Sequence, residues 1–422
     1  MLHNVAEPMK FRKPQAGAGT ASPLRFSRRG LFLGLGGTLL AAQQQSRPRV
    51  AAIITEFRHR SHADVICTRI LDGYYANGKR QEPRTRIVSM YTDQVPPDDM
   101  SRGFAHRKRY TIYPTIEDAL TLGGNDLAVD AVLLIGEHGD YPTNSRGQKL
   151  YPRHRLFEEI VRVFRESDRS LPLFCDKHLS YSWEKAKQMY DWSQELKVPF
   201  MAGSSIPVTV RTPELEIPHN ARIRRAVQVG YGPLDAYGFH TLEAMQCMVE
   251  RRAGGETGVA SVELLEGEAV WRWRDGVGKW SQPLLQAALA RNPHLPSGAM
   301  EDHCEQPALF VLKYRDGLEA VAYMLNNYVY RWDFAAEVDG RVVSTHFGQV
   351  PETRDLPHFD GLTHCIEELF VSGKPVYPVE RTLLTTGVLA FLFESREKKA
   401  RVETPELAVK YQAPADTFFQ RG

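Results

Sequence analysis

The sequence predicts an α/β protein: a doubly wound parallel sheet, then a second α+β domain with an open, mainly antiparallel sheet. Three observations predict it. Between Arg49 and Ser205 short apolar runs alternate with segments of helical period, the pattern of strands joined by covering helices. Beyond residue 206 strand-like runs come in pairs around tight-turn residues. The chain has 422 residues, 42% hydrophobic and 25% charged, enough for two or three globular domains with a core that needs no disulfide or metal staple.

Residues 1–46 read as an address and linker rather than as part of the fold. Ser27-Arg28-Arg29-Gly30-Leu31-Phe32-Leu33 opens a short apolar run ending near Ala42. It resembles the twin-arginine export signal, with the usual Phe-Leu order inverted and no following lysine. Twelve helical residues reach about 18 Å, short of a hydrocarbon core of about 30 Å. Gly34, Gly36 and Gly37 weaken the run further as a span. The expectation is an exported, periplasmic or extracytoplasmic protein with no stable membrane anchor. Residues 1–42 carry six Lys/Arg against one Glu; without them 47 basic residues face 50 acidic ones, a balance of −3. That balance gives no support to nucleic-acid binding. The five cysteines, Cys67, Cys175, Cys247, Cys304 and Cys365, form no CxxC pair. Four sit in apolar stretches and read as buried free thiols.

Residues 47–205 form the first domain. Its strand candidates are Val50–Ile54, Thr85–Tyr91, Val129–Ile135, Leu171–Cys175 and Pro199–Ala202. Ala63, Ile66, Ile70 and Tyr74 keep one helical face. Thr115 can cap Ile116–Leu122, with Asp118 completing a capping box. Pro152 suits the first turn of Arg153–Arg165. Ser180 precedes a helix carrying Trp183, Ala186, Tyr190 and Leu196. This is a Rossmann-like order of elements, and in such sheets the ligand crevice lies beyond the carboxyl ends of the strands.

The first strand end is informative through what it lacks. A dinucleotide fold places G-x-G-x-x-G there, because only glycine lets backbone N–H groups approach the pyrophosphate. Here the segment is Thr55-Glu56-Phe57-Arg58-His59-Arg60-Ser61-His62, without a glycine. Glu56 would repel a phosphate. Arg58, His59 and Arg60 can attract a phosphate or a sugar acid from the side, and a solvated polar loop reads equally well. Asp93 is the candidate for holding a ribose, beyond the usual spacing of about 20 residues. The third strand end, Gly136-Glu137-His138-Gly139, is a tight turn aimed at the crevice. A turn alone would need the glycines but not both ionisable side chains, which places Glu137 and His138 at a ligand.

Pro172-Leu173-Phe174-Cys175-Asp176-Lys177-His178-Leu179, followed by the Trp183–Leu196 helix, resembles the E-K-P signature of the glucose–fructose oxidoreductase and inositol dehydrogenase (Gfo/Idh/MocA) family. Three further passages are similar to that family: Met201-Ala202-Gly203 with Arg211-Thr212-Pro213; Gly238-Phe239-His240-Thr241-Leu242-Glu243; and Cys365–Phe370, Ser372-Gly373-Lys374-Pro375 and Val379–Ser395. The resemblance implies that Lys177 lies near a nicotinamide and a substrate hydroxyl, and that His240 takes the hydroxyl proton. The family's partner aspartate falls where this chain has Ala236. Asp235, one position off, can replace it only if the loop shifts. The resemblance also implies NAD or NADP, against the glycine-free loop, and a carbohydrate or polyol substrate bound in an interdomain cleft. Two alternatives stay open: a carbohydrate binder without redox chemistry, and a lyase or glycosidase that uses the same Lys/His pair.

Residues 206–422 form the second domain. Leu309–Tyr314 and Glu319–Leu325 make a hairpin over Arg315-Asp316-Gly317, and Phe334–Val338 and Arg341–Thr345 flank Asp339-Gly340. Trp271, Trp273 and Trp280 alternate with charges in a strand-like stretch. Such a sheet would leave one face for a partner subunit, as the family commonly oligomerises. His303, His346, His358 and His364 show no HxH or HExxH spacing, so no metal is expected. If the arginine pair directs export, Arg28→Lys together with Arg29→Lys will leave an uncleaved precursor in the cytoplasm; cell fractionation checks this, and normal export of the double variant would overturn it.

Overall fold

β1 (Arg49–Ile54) runs through the middle of a six-stranded sheet, and its alternate side chains enter two different cores. Ala51 and Ile53 face one core, while Val50, Ala52 and Ile54 face the other, the consequence of a two-residue side-chain period in a sheet covered on both sides. The computed structural model describes residues 47–348 and 356–421. The expected export signal over residues 1–46 lies outside the described residues.

The chain continues through α1 (His62–Asp72), the small hairpin β2 (Tyr74–Ala76) and β3 (Lys79–Gln81), β4 (Arg86–Thr92), α2 (Ser101–Lys108), β5 (Thr111–Ile112), α3 (Ile116–Thr121), β6 (Ala131–Ile135), α4 (Arg153–Glu166), β7 (Leu173–Asp176), α5 (Trp183–Glu195) and β8 (Phe200–Gly203). The strand order is β5-β4-β1-β6-β7-β8, with every neighbouring pair parallel. The chain steps outward from β1, returns to its other side, and steps outward again. The reversal between β1 and β6 opens a crevice at their carboxyl ends.

Local chemistry sets the helix starts. Ser61 caps α1 by accepting from Asp64 N, and Thr115 caps α3 by accepting from Asp118 N at 3.0 Å. α5 is capped by Ser182, not introduced at Ser180. Tyr74 does not extend the apolar face of α1, because Gly73 at φ 90° ends the helix and Tyr74 begins β2. All five cysteines are buried and free.

The second sheet comprises β9 (Arg211–Thr212), β10 (Ile223–Gly230), β11 (Val259–Glu266), β12 (Ala308–Tyr314), β13 (Glu319–Met324), β14 (Trp332–Val338), β15 (Arg341–Phe347) and β16 (Val402–Glu403). Its order is β16-β11-β12-β13-β10-β14-β15-β9, antiparallel except for the β10–β13 pair. The β14–β15 turn puts Asp339 at φ 49° and Gly340 at φ 77°, the left-handed pair that a two-residue hairpin requires. α6 (Ala236–Val249) and α11 (Val379–Lys398) pack on one face of the sheet, and α10 (His358–Ser372) returns to the core of the first sheet through Leu362, Ile366 and Leu369.

One expectation is corrected here. Trp271 and Trp273 lie in a helix, α7 (Glu268–Asp275), and Trp280 lies in a 3₁₀ turn. Their spacing suits a strand, but Val270 and Trp271 are buried together with Leu284 and Leu285 of α8 (Gln282–Leu289) against Val227, Leu309 and Tyr323 of the sheet. That burial decides the local structure. The same helices lie against β10, β12 and β13 of the sheet. Among the described residues no helix is long and apolar enough to cross a membrane.

The end of α6 is tied to α11 by a buried bidentate pair: Arg381 Nε donates to Glu250 Oε2 at 2.8 Å and Nη2 donates to Oε1 at 2.6 Å, while Tyr411 adds a third bond to Glu250. Breaking such a pair from one side leaves a buried charge. Glu250→Gln is therefore expected to cost about 3–5 kcal/mol, read as a lower urea midpoint at unchanged slope.

Candidate active site

Three strand-end turns converge on one cavity of about 380 Å³ beyond the carboxyl ends of β1, β6 and β7. Each turn places a non-glycine residue in the left-handed region: Arg60 (φ 61°), His138 (φ 71°) and Lys177 (φ 68°). Such conformations cost energy and persist where the surroundings enforce them, which is common at functional sites. The opposite wall comes from the start of α6, the strand ends at Tyr231, Trp332 and Phe347, and the start of α10 with His358 and Phe359.

Glu137 organises the floor. Its side chain is almost fully buried, with Arg153 Nη2 bonded to Oε2 and Lys177 Nζ 3.5 Å from Oε1. Burial disfavours its charge, but Lys177 and Arg153 outweigh that cost and hold the carboxyl well below its ordinary range. Gly136 is required beside it, since a Cβ there would meet Arg153 Cγ at 2.5 Å. Lys177 also donates to Ala236 O at 3.3 Å, so its ammonium is fixed between the two halves of the wall. His138 accepts from His62 N at 3.3 Å, and burial together with nearby His62 pushes it down to about 4.

His240 lies in α6, buried and lining the same cavity as Lys177. Its Nδ1 is 2.5 Å from Ser204 Oγ. Burial, reinforced by Lys177 and His62, holds it well below the ordinary histidine range, so the ring is neutral. Tyr237 stacks on Trp332 at 17° between ring planes, and Tyr231 packs edgewise on Tyr237, giving the cavity an aromatic side next to His240. Asp235 does not line the cavity. Its Oδ2 accepts from Lys149 N at 2.9 Å, and burial raises its pKa.

The proposed cofactor contacts are dispersed. Glu137 and His138 line the cavity, whereas Glu56, Arg58, His59 and Asp93 do not. Glu56 is buried and accepts from Arg58 Nε at 2.6 Å, while His59 is exposed and lies 3.7 Å from Asp64. Burial disfavours the Asp93 charge, but hydrogen bonds from Tyr141, Arg155 and Tyr91 keep its carboxyl ionised and occupied. The turn after β1 does not fit a pyrophosphate. Phe57 is buried and stacked on Phe104 at 5.2 Å. The amides of Arg58 and Asp64 donate to Ser61 Oγ, Arg60 N to Asp64 Oδ2, Ser61 N to Arg58 O, and His62 N to His138. The donors that such folds reserve for phosphate are spent inside the protein.

Sequence reasoning assigned no role to His62, Tyr231, Tyr237, Trp332 or His358, all on the cavity wall. His62 stood in the quoted first loop, but nothing in its spacing marked it. The others reach the cavity through the second sheet and α10, which no local pattern reports. Among the described residues no three His, Cys, Asp or Glu side chains are placed to hold a metal ion.

No protein-family model and no curated protein matches the chain. Solved structures do. The scyllo-inositol dehydrogenase of Lactobacillus casei, with NAD(H) and scyllo-inositol bound, superposes with a TM-score of 0.52 at 10% identity over 84% of this chain and 98% of that one. The myo-inositol 2-dehydrogenase of Lactobacillus plantarum gives 0.52 at 11% identity, covering 84% and 99%. GenD2 of gentamicin A biosynthesis, in complex with NAD, gives 0.53 at 11%, covering 85% and 96%. The chain thus shares the two-sheet fold of Gfo/Idh/MocA-type inositol dehydrogenases.

Proposed function

We propose that this chain is an exported enzyme on an oxidoreductase-like fold, acting by proton transfer on a sugar, polyol or related hydroxy compound. The observation that carries the reading is the convergence of Lys177 and His240 on one aromatic-sided cavity. Hydroxylated rings suit such a space: an apolar face packs on Tyr237 and Trp332 while the hydroxyls meet charged and neutral polar groups. Lys177, anchored by Glu137, presents fixed positive charge to an oxygen as it loses its proton. His240, kept neutral by burial, can share a ring proton with a substrate oxygen without taking up a second. Bound ligand would be shielded from bulk water by the same walls.

A second reading, dehydrogenase action with NAD or NADP, is favoured by the strand order of the first sheet and by the nucleotides bound to GenD2 and the L. casei enzyme. The turn after β1 argues against that reading in its usual form. With the amides of Arg58, Arg60, Ser61, His62 and Asp64 engaged, NAD and NADP are expected to bind no tighter than about 1 mM, or about 4 kcal/mol. Calorimetry on the purified protein checks this, and micromolar binding of either would establish the dehydrogenase reading instead.

The site itself is tested with a panel of inositols, hexoses and sugar acids, by calorimetry and by product analysis. At least one is expected to bind and turn over. Lys177→Met and His240→Ala should each reduce turnover per folded molecule by about 100-fold or more, beyond whatever the loss of a buried partner costs in melting temperature. Loss of stability with turnover kept per folded molecule would make both residues structural, and failure of the whole panel to bind would overturn the substrate class.

A further inference from the structure

We propose that His62, held by Asp176, is the general base of this cavity, and that it works opposite His240 as the acid. The proposal rests on the reading that a hydroxylated substrate is turned over here, and it adds a residue that neither the sequence pattern nor the fold likeness supplies.

The geometry is that of a carboxylate–imidazole dyad. His62 Nδ1 lies 2.6 Å from Asp176 Oδ2, and Asp176 is buried at the end of β7, directly before Lys177. An ionised carboxylate only accepts, so the shared proton sits on Nδ1 and the lone pair is left on Nε2. His62 lines the cavity, and among the described residues its Nε2 has no partner, yet it is not sealed from solvent. Phe359, edge-on at 5.0 Å and 84°, and His138 at 5.2 Å hold the plane of the ring. A ring that served only to pin α1 to β7 would need the Asp176 bond but not an open Nε2.

His240 is set the other way. Ile206 N donates to Ser204 Oγ at 3.0 Å, and His240 Nδ1 at 2.5 Å is the one acceptor for the Ser204 hydroxyl among the described residues, which assigns the hydroxyl proton to that bond. The neutral His240 ring therefore carries its proton on Nε2. One imidazole offers a lone pair to the cavity and the other offers a proton, with the Lys177 ammonium beside them. For a substrate with a carbonyl next to a hydroxylated carbon, the step balances without any further reactant. His62 Nε2 takes the C–H proton, and the C–H electron pair becomes a C=C bond. The carbonyl π pair moves to its oxygen, which takes the proton of His240 Nε2. One proton leaves the carbon, one arrives at the oxygen, no electrons are lost, and the negative charge left on the His240 ring is met by the Lys177 ammonium in the same cavity until the proton returns. Asp176 balances the imidazolium that forms on His62, as a positioning residue.

The test reads the proton positions directly in the intact protein. With ¹⁵N-histidine labelling, and His62→Gln to assign the signal, His62 is expected as the Nδ1–H form with a bare Nε2. Diethyl pyrocarbonate is expected to modify His62 ahead of His240 and His358, and Asp176→Asn to slow that modification about tenfold or more by releasing the tautomer. His62 protonated on Nε2, or modified at the same rate in Asp176→Asn, would overturn the dyad. Should Asp176→Asn fail to fold, the tautomer and modification order of the parent decide. None of these readouts needs a sugar, so the dyad and the substrate class fail or stand separately.

Discussion

A single buried carboxylate fixes the geometry on which the candidate site depends. Glu137 sits at the end of β6 with a cation on either side, Arg153 from α4 and Lys177 from β7. Desolvating three charges costs several kcal/mol for each ion, and only close, well-oriented pairing repays it. That demand explains neighbouring features that have no other account. Gly136 must lack a side chain for Arg153 to approach. Lys177 adopts a left-handed backbone, a conformation that lysine does not favour. Arg153 also meets His178 at 3.3 Å, which keeps that ring within the same network. β6, β7 and α4 are thereby locked at the point where the sheet opens.

The second constraint lies at the start of α1. In nucleotide-binding sheets this helix end is left open, its amides free for an anion. Here Ser61, Asp64 and His138 consume those amides, and Phe57 is packed into the core against Phe104. The loss of one ligand surface accompanies the gain of another: once His62 N is tied to His138, the His62 ring is carried to the cavity wall. On a fold shared with inositol dehydrogenases at 10–11% identity, the first strand end of this chain carries side chains that bond to one another.

The fold was legible because periodicity reports burial. β1 and β6 read as unbroken apolar runs, since a central parallel strand is covered on both faces, and Asp339-Gly340 read as a turn because both residues must take positive φ. The tryptophan stretch misled for the same reason: Trp271 and Trp273 alternate, but packing against β10, β12 and β13 decided for a helix. In the site, Lys177 and His240 were visible through flanking pattern, and both reach the cavity. Asp93 had the right position at a strand end, yet three hydrogen-bonding side chains claim it. His62, Trp332 and His358 were invisible as a group, because they are about 300 residues apart at the extremes and meet only through tertiary structure.

What the cavity can do follows from how its proton positions are fixed. A neutral imidazole is ambiguous in solution, since either nitrogen can carry the proton. In this structure each ring has a partner suited to one tautomer: a carboxylate at Asp176 accepts from His62, and the Ser204 hydroxyl, already accepting from Ile206, has His240 as its acceptor among the described residues. Burial then keeps His240 neutral, so its proton stays where the hydrogen bonds put it rather than being joined by a second. A lone pair, a proton and an ammonium share one enclosed space, with aromatic rings to hold a substrate between them. Moving a proton from one position to another on such a substrate requires nothing the chain does not already hold.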